Sequence, residues 1–392
     1  MPWINDKYDY DTFDIQHANQ KLEDYNKDLL DYDYYWYKNK YDKTKFKLIQ
    51  RRQKLLINPF GKSYLPLRIY KNLETNENII PVKQAIGIPK YKNCTNNLTL
   101  FIIKQIHKGK RQSDIKDMLP YCGISKQTYS NIIKNTKIEI QLPIKKYEVK
   151  DYLHIDMDDC FEYLANEQGI IEKYCIRIFN CYTHKINIYK NRNQLQNKIW
   201  AYMIFKPSDN ITQDKVYEFV YETIINNYDI KLNYLTDVFW QNNNLIIGGD
   251  GALWIRAMAK WFGGKYILDC FHGIRYLWKA FINIKGKKKA NTNWPNYFDT
   301  SFNFKNGNYN ELINILKPNV DKQTFNYFAN NEQGIINQGK DWNIGCHAES
   351  TVSHLVKSLK GYGAKSYNYK TFVNMLNTRI AHINNQNIVI CY

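Results

Sequence analysis

Acidic side chains at the ends of extended runs are the first candidates for chemistry in this chain. The run YLHIDMDDCF from Tyr152 alternates like a strand, and at a period of two His154, Asp156 and Asp158 point the same way. A second run, Leu245-Ile-Ile247, leads through Gly248 and Gly249 to Asp250. Neighbouring strand positions in an open α/β sheet can bring such carboxylates together. At close range they repel and raise one another's pKa unless a cation joins them. Hard oxygen ligands with room for phosphate suit Mg²⁺ or Mn²⁺, and two such ions can clamp the attacking and leaving oxygens of a phosphodiester. Two acids in a sheet are equally compatible with plain solvated side chains.

The elements that must position these acids are set by periodicity. After the first strand come Ile171–Thr183 and Lys185–Tyr189 as further strands. A helix runs from Asp214 to Tyr228, burying Val216, Phe219, Val220, Thr223 and Ile224. Then come the strand before Asp250, a helix opened by Leu253, and a short strand Lys265–Leu268. Three meandering strands and then helix, strand, helix, strand is the order of an RNase H-like mixed α/β sheet.

Upstream, the first fifty residues read as helix as far as Arg51, with Leu22, Leu29 and Leu30 at near-helical spacing. The acidic, Tyr-rich part (31–37) suits either a packing face or an interaction arm. Extended runs at 55–57, 64–70 and 79–82 predict a small antiparallel sheet. Between 98 and 138 lie two helical stripes, a turn through Cys122-Gly-Ile124, and a third helix capped by Ser125. That is the punctuation of a helix-turn-helix or of an ordinary three-helix bundle. In the former geometry Lys126, Gln127, Tyr129 and Ser130 would face a major groove, with Arg111 and Lys134 as further DNA contacts. Pro143 and Lys145-Lys146 read as a linker.

Charge favours the DNA-binding alternative. The chain carries 55 Lys and Arg against 37 Asp and Glu, a net +18. Residues 1–40 hold five basic and nine acidic residues, and residues 151–392 hold twenty-seven and twenty-one. The stretch 41–150 holds twenty-three against seven, a balance of +16. Like charge concentrated in one folded region repels itself, and a polyanionic partner is the usual explanation. Nothing in glycosidase chemistry calls for such a flank. The eight cysteines include no pair two residues apart, so a zinc ribbon is not expected, and a core of this size needs no disulfide framework. No apolar run approaches the roughly 18 residues of a membrane helix, and the N-terminus lacks a targeting pattern. The expectation is a cytoplasmic, nucleoid-associated protein with no membrane contact.

The string LIIGGDGALWIRAMAKWFGGKYILDCFHGIRYLWKA (245–280) resembles a motif of bacterial DDE transposases. IGCHAESTVSHLV from Ile344 resembles their block around the third acid, and LHIDMDD from Leu153 their first-aspartate strand. NPFGKSYLPLRIYKN (58–72) and AIGIPKY (85–91) are similar to the N-terminal part. The group is the Lre-type insertion-sequence transposases of the Mutator-like superfamily, including transposase-like proteins of mollicute integrative conjugative elements. The resemblance implies a catalytic triad of Asp158, Asp250 and Glu349 holding two Mg²⁺ or Mn²⁺ ions, with Asp156 as the alternative first acid. It also implies an Asp269-x-x-His272 element near the active site. The basic block from Lys357 to Lys365, of which Lys357 is a further expected DNA contact, has Lys where the family has Arg, and Ser350 replaces the Gly after the Glu.

The expected architecture is an RNase H-like mixed sheet with a helical insertion between the second and third acids, preceded by a basic helix-turn-helix region. Its divisions are a helical arm (1–52), a β-rich basic region (53–95), the helix-turn-helix domain (96–145), the first part of the core (146–272), the insertion (273–343), and the remainder with Glu349 and C-terminal helices (344–392). The implied activity is metal-dependent cleavage and strand transfer of a mobile element. Its partners are duplex DNA, both terminal repeats and target, and further copies of the chain on paired ends. The alternatives are a transposase-derived DNA-binding accessory protein without catalysis, and a hydrolytic nuclease using the same acids.

Overall fold

A computed structural model describes residues 18–88, 92–141, 145–189, 192–229, 244–282, 292–360 and 366–391. The start of the N-terminal arm, Pro143 of the expected linker, and residues 361–365 of the basic block lie outside them. The chain divides into two units, one of residues 1–141, 367–382 and 387–392, the other of 142–366 and 383–386. The final stretch, expected to complete the core, is thus shared between the two. Among the described residues no helix is long and apolar enough to cross a membrane.

In the first unit, helix α1 (Ala18–Asn39) stops well before Arg51, contrary to the sequence expectation. The Asp42 carboxylate accepts the Thr44 backbone N–H at 2.8 Å, folding the chain into a turn, and strand β1 (Phe46–Asn58) comes next. β1 pairs antiparallel along its length with β2 (Gly61–Asn72). The expected third strand shrinks to β3 (Asn78–Ile79), because Pro81 opens the short helix α2 (Pro81–Ala85). One side of the acidic stretch of α1 packs inward, while Tyr34 and Tyr35 are exposed. Asp33 is buried in an ion pair with Arg68, and Trp36 lies on Tyr70 with ring centres 4.5 Å apart. Helices α3 (Asn96–His107), α4 (Gln112–Met118) and α5 (Lys126–Asn135) succeed them. Thr95 and Ser125 cap α3 and α5, as polar residues before apolar stripes should. Strand β4 (Lys137–Ile140) closes this part.

The second unit is built on a mixed sheet. Strand β5 (Leu153–Ala165) pairs antiparallel with β6 (Ile171–Tyr182). The run at 185–189 does not join this sheet. As β7 (His184–Tyr189) it forms a separate hairpin with β8 (Arg192–Gln196), and its residues are mostly exposed there. The third strand of the meander is β9 (Ile199–Phe205), antiparallel to β6. After α6 (Gln213–Asn227), β10 (Leu245–Gly249) lies parallel to β5. Helix α7 (Leu253–Trp261) then leads to β11 (Lys265–Leu268), parallel to β10. The order β9-β6-β5-β10-β11 makes a mixed sheet.

Its two faces differ as a period of two requires. Leu153, Ile155, Met157, Leu245, Ile247 and Leu268 lie on one face, in a core with Val216, Val220 and Ile224 of α6 and Met258 of α7. Helix α8 (Cys270–Phe281) and the helices α9 (Trp294–Lys305), α10 (Tyr309–Asn319), α11 (Lys322–Ala329) and α12 (Glu332–Ile336) add Leu277, Phe304, Leu312 and Phe328 to that core. The other face carries His154, Asp156 and Asp158, opposite Tyr182, Asn180 and Ile178 of β6. Helix α13 (Ala348–Val352) continues through a π-helical turn at Ser353–Lys357. In the first unit again, α14 (Tyr369–Ile383) precedes β12 (Ile388–Cys391), which pairs with β4.

Candidate active site

The register of the parallel strands assembles the acids. Gly248 pairs with Asp156 and Gly249 with Met157, so Asp250 comes one residue beyond the last pair, level with Asp158. On the other side Gly249 pairs with Leu268, and the Asp269 N–H donates to the Gly249 carbonyl at 2.7 Å. Three carboxylate-bearing residues therefore stand on adjacent rows, where strands lie roughly 4.8 Å apart. They do so at the carboxyl ends of β10 and β11, where open α/β sheets leave a crevice.

Each acid is held differently. Asp250 turns the chain: its carboxylate accepts the Ala252 N–H at 3.0 Å, Gly251 takes a φ of +97° open to glycine, and Tyr327 donates to the Asp250 carbonyl at 2.9 Å. Asp158 is 7% exposed. Its carboxyl is pushed up to about 7, chiefly by burial and then by the Asp250 charge, with Glu349 adding in the same sense and His272 opposing. Glu349 sits in the first turn of α13 and accepts from Lys357 Nζ at 2.7 Å. Lys357 is raised above its ordinary value by that bond, and the Asp158 charge adds to the shift.

Asp269 caps α8 by accepting the Phe271 N–H at 3.1 Å and also binds His272 Nδ1 at 2.6 Å. That bond raises the His272 pKa, and the charges of Asp158 and Asp250 raise it further, so the imidazolium is favoured.

Asp156 points to the same face as Asp158 but is closed off. It accepts the His347 N–H at 2.7 Å and the Tyr182 hydroxyl at 3.0 Å, and Tyr182 also lies 3.0 Å from the Gly345 carbonyl. Burial pushes its carboxyl up to about 7 against those two bonds. A Cβ on Gly248 would come within 2.8 Å of Asp156 Oδ1 and 3.1 Å of Cys346 Sγ. Asp156 therefore fastens the loop that leads into the helix bearing Glu349. Beside it, Asn180 is fully buried, and among the described residues neither of its side-chain amide atoms has a hydrogen-bond partner. The neighbouring Asp159 faces the opposite way, in a two-point pair with Arg177 at 2.8 Å, and that guanidinium lies 3.6 Å from the Trp254 ring centre.

The donor set suits a hard divalent cation in part. Asp158 and Asp250 form a repelling pair that a cation would relieve, but Glu349 is already engaged by Lys357. Among the described residues no three His, Cys, Asp or Glu side chains stand ready as a metal-ligand group. Lys357 holds Glu349 at Oε1, so a cation drawing on that carboxylate would compete with the ammonium or take the other oxygen.

The expected DNA-reading residues separate into two groups. Lys126 and Gln127 are exposed on α5, and Lys134 is half-buried. Tyr129 is 3% exposed and belongs to the core, so it cannot be presented to a groove. Ser130 is turned towards Thr371 of α14, with the hydroxyls 3.1 Å apart. Both side chains fall on the inner face because a helix returns to the same side every three to four residues, and Ile133 shares that face. Arg111 packs on Asp114 at 3.2 Å beside the start of α4. Lys357, expected among the DNA contacts, lies with the acids instead.

Sequence reasoning missed Tyr182, Asn180 and the Gly345–His347 backbone. Nothing local marks them, since their roles depend on the register between β5 and β6.

Fold and site together define a mixed α/β protein with carboxylates gathered at the ends of parallel strands. The chain belongs to the uncharacterised protein family UPF0236, which it matches over residues 27–293. That match takes in Asp158, Asp250, Asp269 and His272 and ends before Glu349. No curated protein matches the chain.

Proposed function

We propose that this protein is a DDE-type DNA strand transferase of a mobile element, built on an RNase H-like sheet. The reading rests on one observation above all: Asp158 and Asp250 lie level on adjacent parallel strands, and Asp158 is in the field of both Asp250 and Glu349. Membership of UPF0236 and the motifs of the second unit are consistent with it.

Asp158, Asp250 and Glu349 would hold Mg²⁺ or Mn²⁺. Such ions, when bound, supply Lewis acidity and charge neutralisation at a phosphodiester. The remaining work falls to the chain's own groups. Asp269 orients His272 and favours its protonated form, so the imidazolium can donate to an anionic oxygen entering the crevice. Lys357, released from Glu349, carries a positive charge suited to a backbone phosphate. Asp156 keeps the loop before α13 in position. The helices α3–α5, as a helix-turn-helix, and the basic stretch around them would hold element-end DNA through phosphates, with more than one copy acting on paired ends.

A second reading, a DNA-binding accessory protein without catalysis, is favoured by one specific observation, the Lys357–Glu349 ion pair. The two are separated by incubating the full chain with Mg²⁺ and a duplex carrying the sequences that flank its gene. Cleavage and then joining of the new 3′-hydroxyl, lost in Asp250→Asn while binding persists, is the expected outcome. Cutting without joining would mark a nuclease. An Asp250→Asn variant that cuts like the wild type contradicts the mechanism.

A further inference from the structure

The hairpin of β1 and β2 has an unusual charge pattern. Between residues 43 and 73 there are nine Lys and Arg and no Asp or Glu. The register sets Lys47 opposite Lys71 and Arg51 opposite Arg68. Like charges directly opposite on a ladder destabilise it. Asp33 answers Arg68 from α1, while Arg51 is held by its Nε on the Pro66 carbonyl at 2.8 Å with no acidic residue on the hairpin, and Arg52 follows immediately. β1 is also the edge strand of its sheet, and residues 47–53 are exposed whichever way the side chain points. The run includes two apolar residues in water, Leu48 at 37% and Ile49 at 45% exposure.

We propose that this two-stranded ribbon enters the major groove of duplex DNA. The inference rests on the DNA-binding part of the functional reading and deepens it, assigning the principal contact to the ribbon rather than to α5. Size and chemistry agree. Seven extended residues span about 24 Å, and a two-stranded ribbon is one of the two elements that a groove about 12 Å wide admits. Lys47, Arg51 and Arg52 meet phosphates and guanine edges, while Leu48 and Ile49 offer apolar contact to thymine methyls. α5 has less to offer, since Tyr129 and Ser130 face inward.

The competing role for such charges is protection of an exposed edge against pairing with other chains. The test measures binding of the full chain to a fluorescein-labelled random-sequence duplex of about 30 base pairs, without divalent metal, over a salt series. The triple variant Lys47→Ala/Arg51→Ala/Arg52→Ala is compared with Lys126→Ala/Gln127→Ala. A charge-preserving Arg51→Lys/Arg52→Lys variant guards against loss of fold. The ribbon triple variant should bind at least tenfold more weakly, with the slope of log affinity against log salt reduced by roughly 2 to 3. The lysine variant should keep the wild-type slope, and the α5 variant should lose less than the triple. Wild-type affinity in the triple variant, with or without aggregation, overturns the inference, as does equal wild-type affinity for duplex RNA, whose deep, narrow groove excludes a ribbon. A wild-type chain that binds no duplex at all overturns the DNA-binding reading itself.

Discussion

Lys357 Nζ lies 2.7 Å from Glu349 Oε1, so an ammonium shares the carboxylate that the proposed triad would offer a divalent ion. The pair is partly exposed, at 53% and 33%, and a bridge of that kind contributes at most about 1 kcal/mol. Its removal should therefore be mild and in one direction. Lys357→Ala should bind Mn²⁺ more tightly, by up to about fivefold, in a calorimetric titration of the free protein. Weaker binding would mean that Lys357 organises Glu349 rather than competing for it.

Asp156 and Asp158 share a strand face and are distinguished by what surrounds them. Asp156→Ala strands the His347 N–H, while the Tyr182 hydroxyl keeps the Gly345 carbonyl, and should cost about 1–3 kcal/mol in denaturant unfolding. Asp156→Asn keeps an acceptor and should recover most of that stability together with measurable cleavage. If Asp156→Asn folds normally yet is as inactive as Asp158→Asn, Asp156 takes part in the chemistry and does more than fasten the loop.

The buried Asp158 carboxyl gives a pH dependence whose sign is fixed. Its folded pKa, near 7, exceeds that of the unfolded chain, so between about pH 4 and 7 the folded state retains a proton that the unfolded state has lost. This group therefore lowers stability as pH rises through that window. Asp158→Asn has no such group. Its Tm should match the wild type near pH 4 and exceed it by several degrees at pH 8. A Tm difference independent of pH would show that Asp158 ionises without hindrance.

Gly248 is required by close approach rather than by backbone conformation. Gly248→Ala drives a methyl against Asp156 Oδ1 and Cys346 Sγ, and overpacking of this kind costs about 1–3 kcal/mol. Thermal unfolding within a degree of wild type would show that the loop at 345–347 yields freely.

Local signals are legible in the sequence wherever one element decides the outcome. Ser125 caps α5, Val216, Val220 and Ile224 form the buried stripe of α6, and β10 runs directly into Asp250. Sequence and structure part where pairing decides. The run at 185–189 alternates well enough for a strand, but Ile199–Phe205 takes the place beside β6. The helical pattern of the N-terminal region runs on into β1 because charged residues at 47–54 suit a helix surface as readily as an exposed ribbon. The acids themselves stand out in the sequence, while the partners that separate Asp156 from Asp158 emerge only with the register of β5 against β6.

Anomalous diffraction from crystals soaked in Mn²⁺ is the sharpest test of a metal site built on Asp158 and Asp250. The predicted result is a peak in the crevice between those two aspartates, accompanied by movement of Glu349 away from Lys357. Strong peaks elsewhere, with none between Asp158 and Asp250, would contradict it.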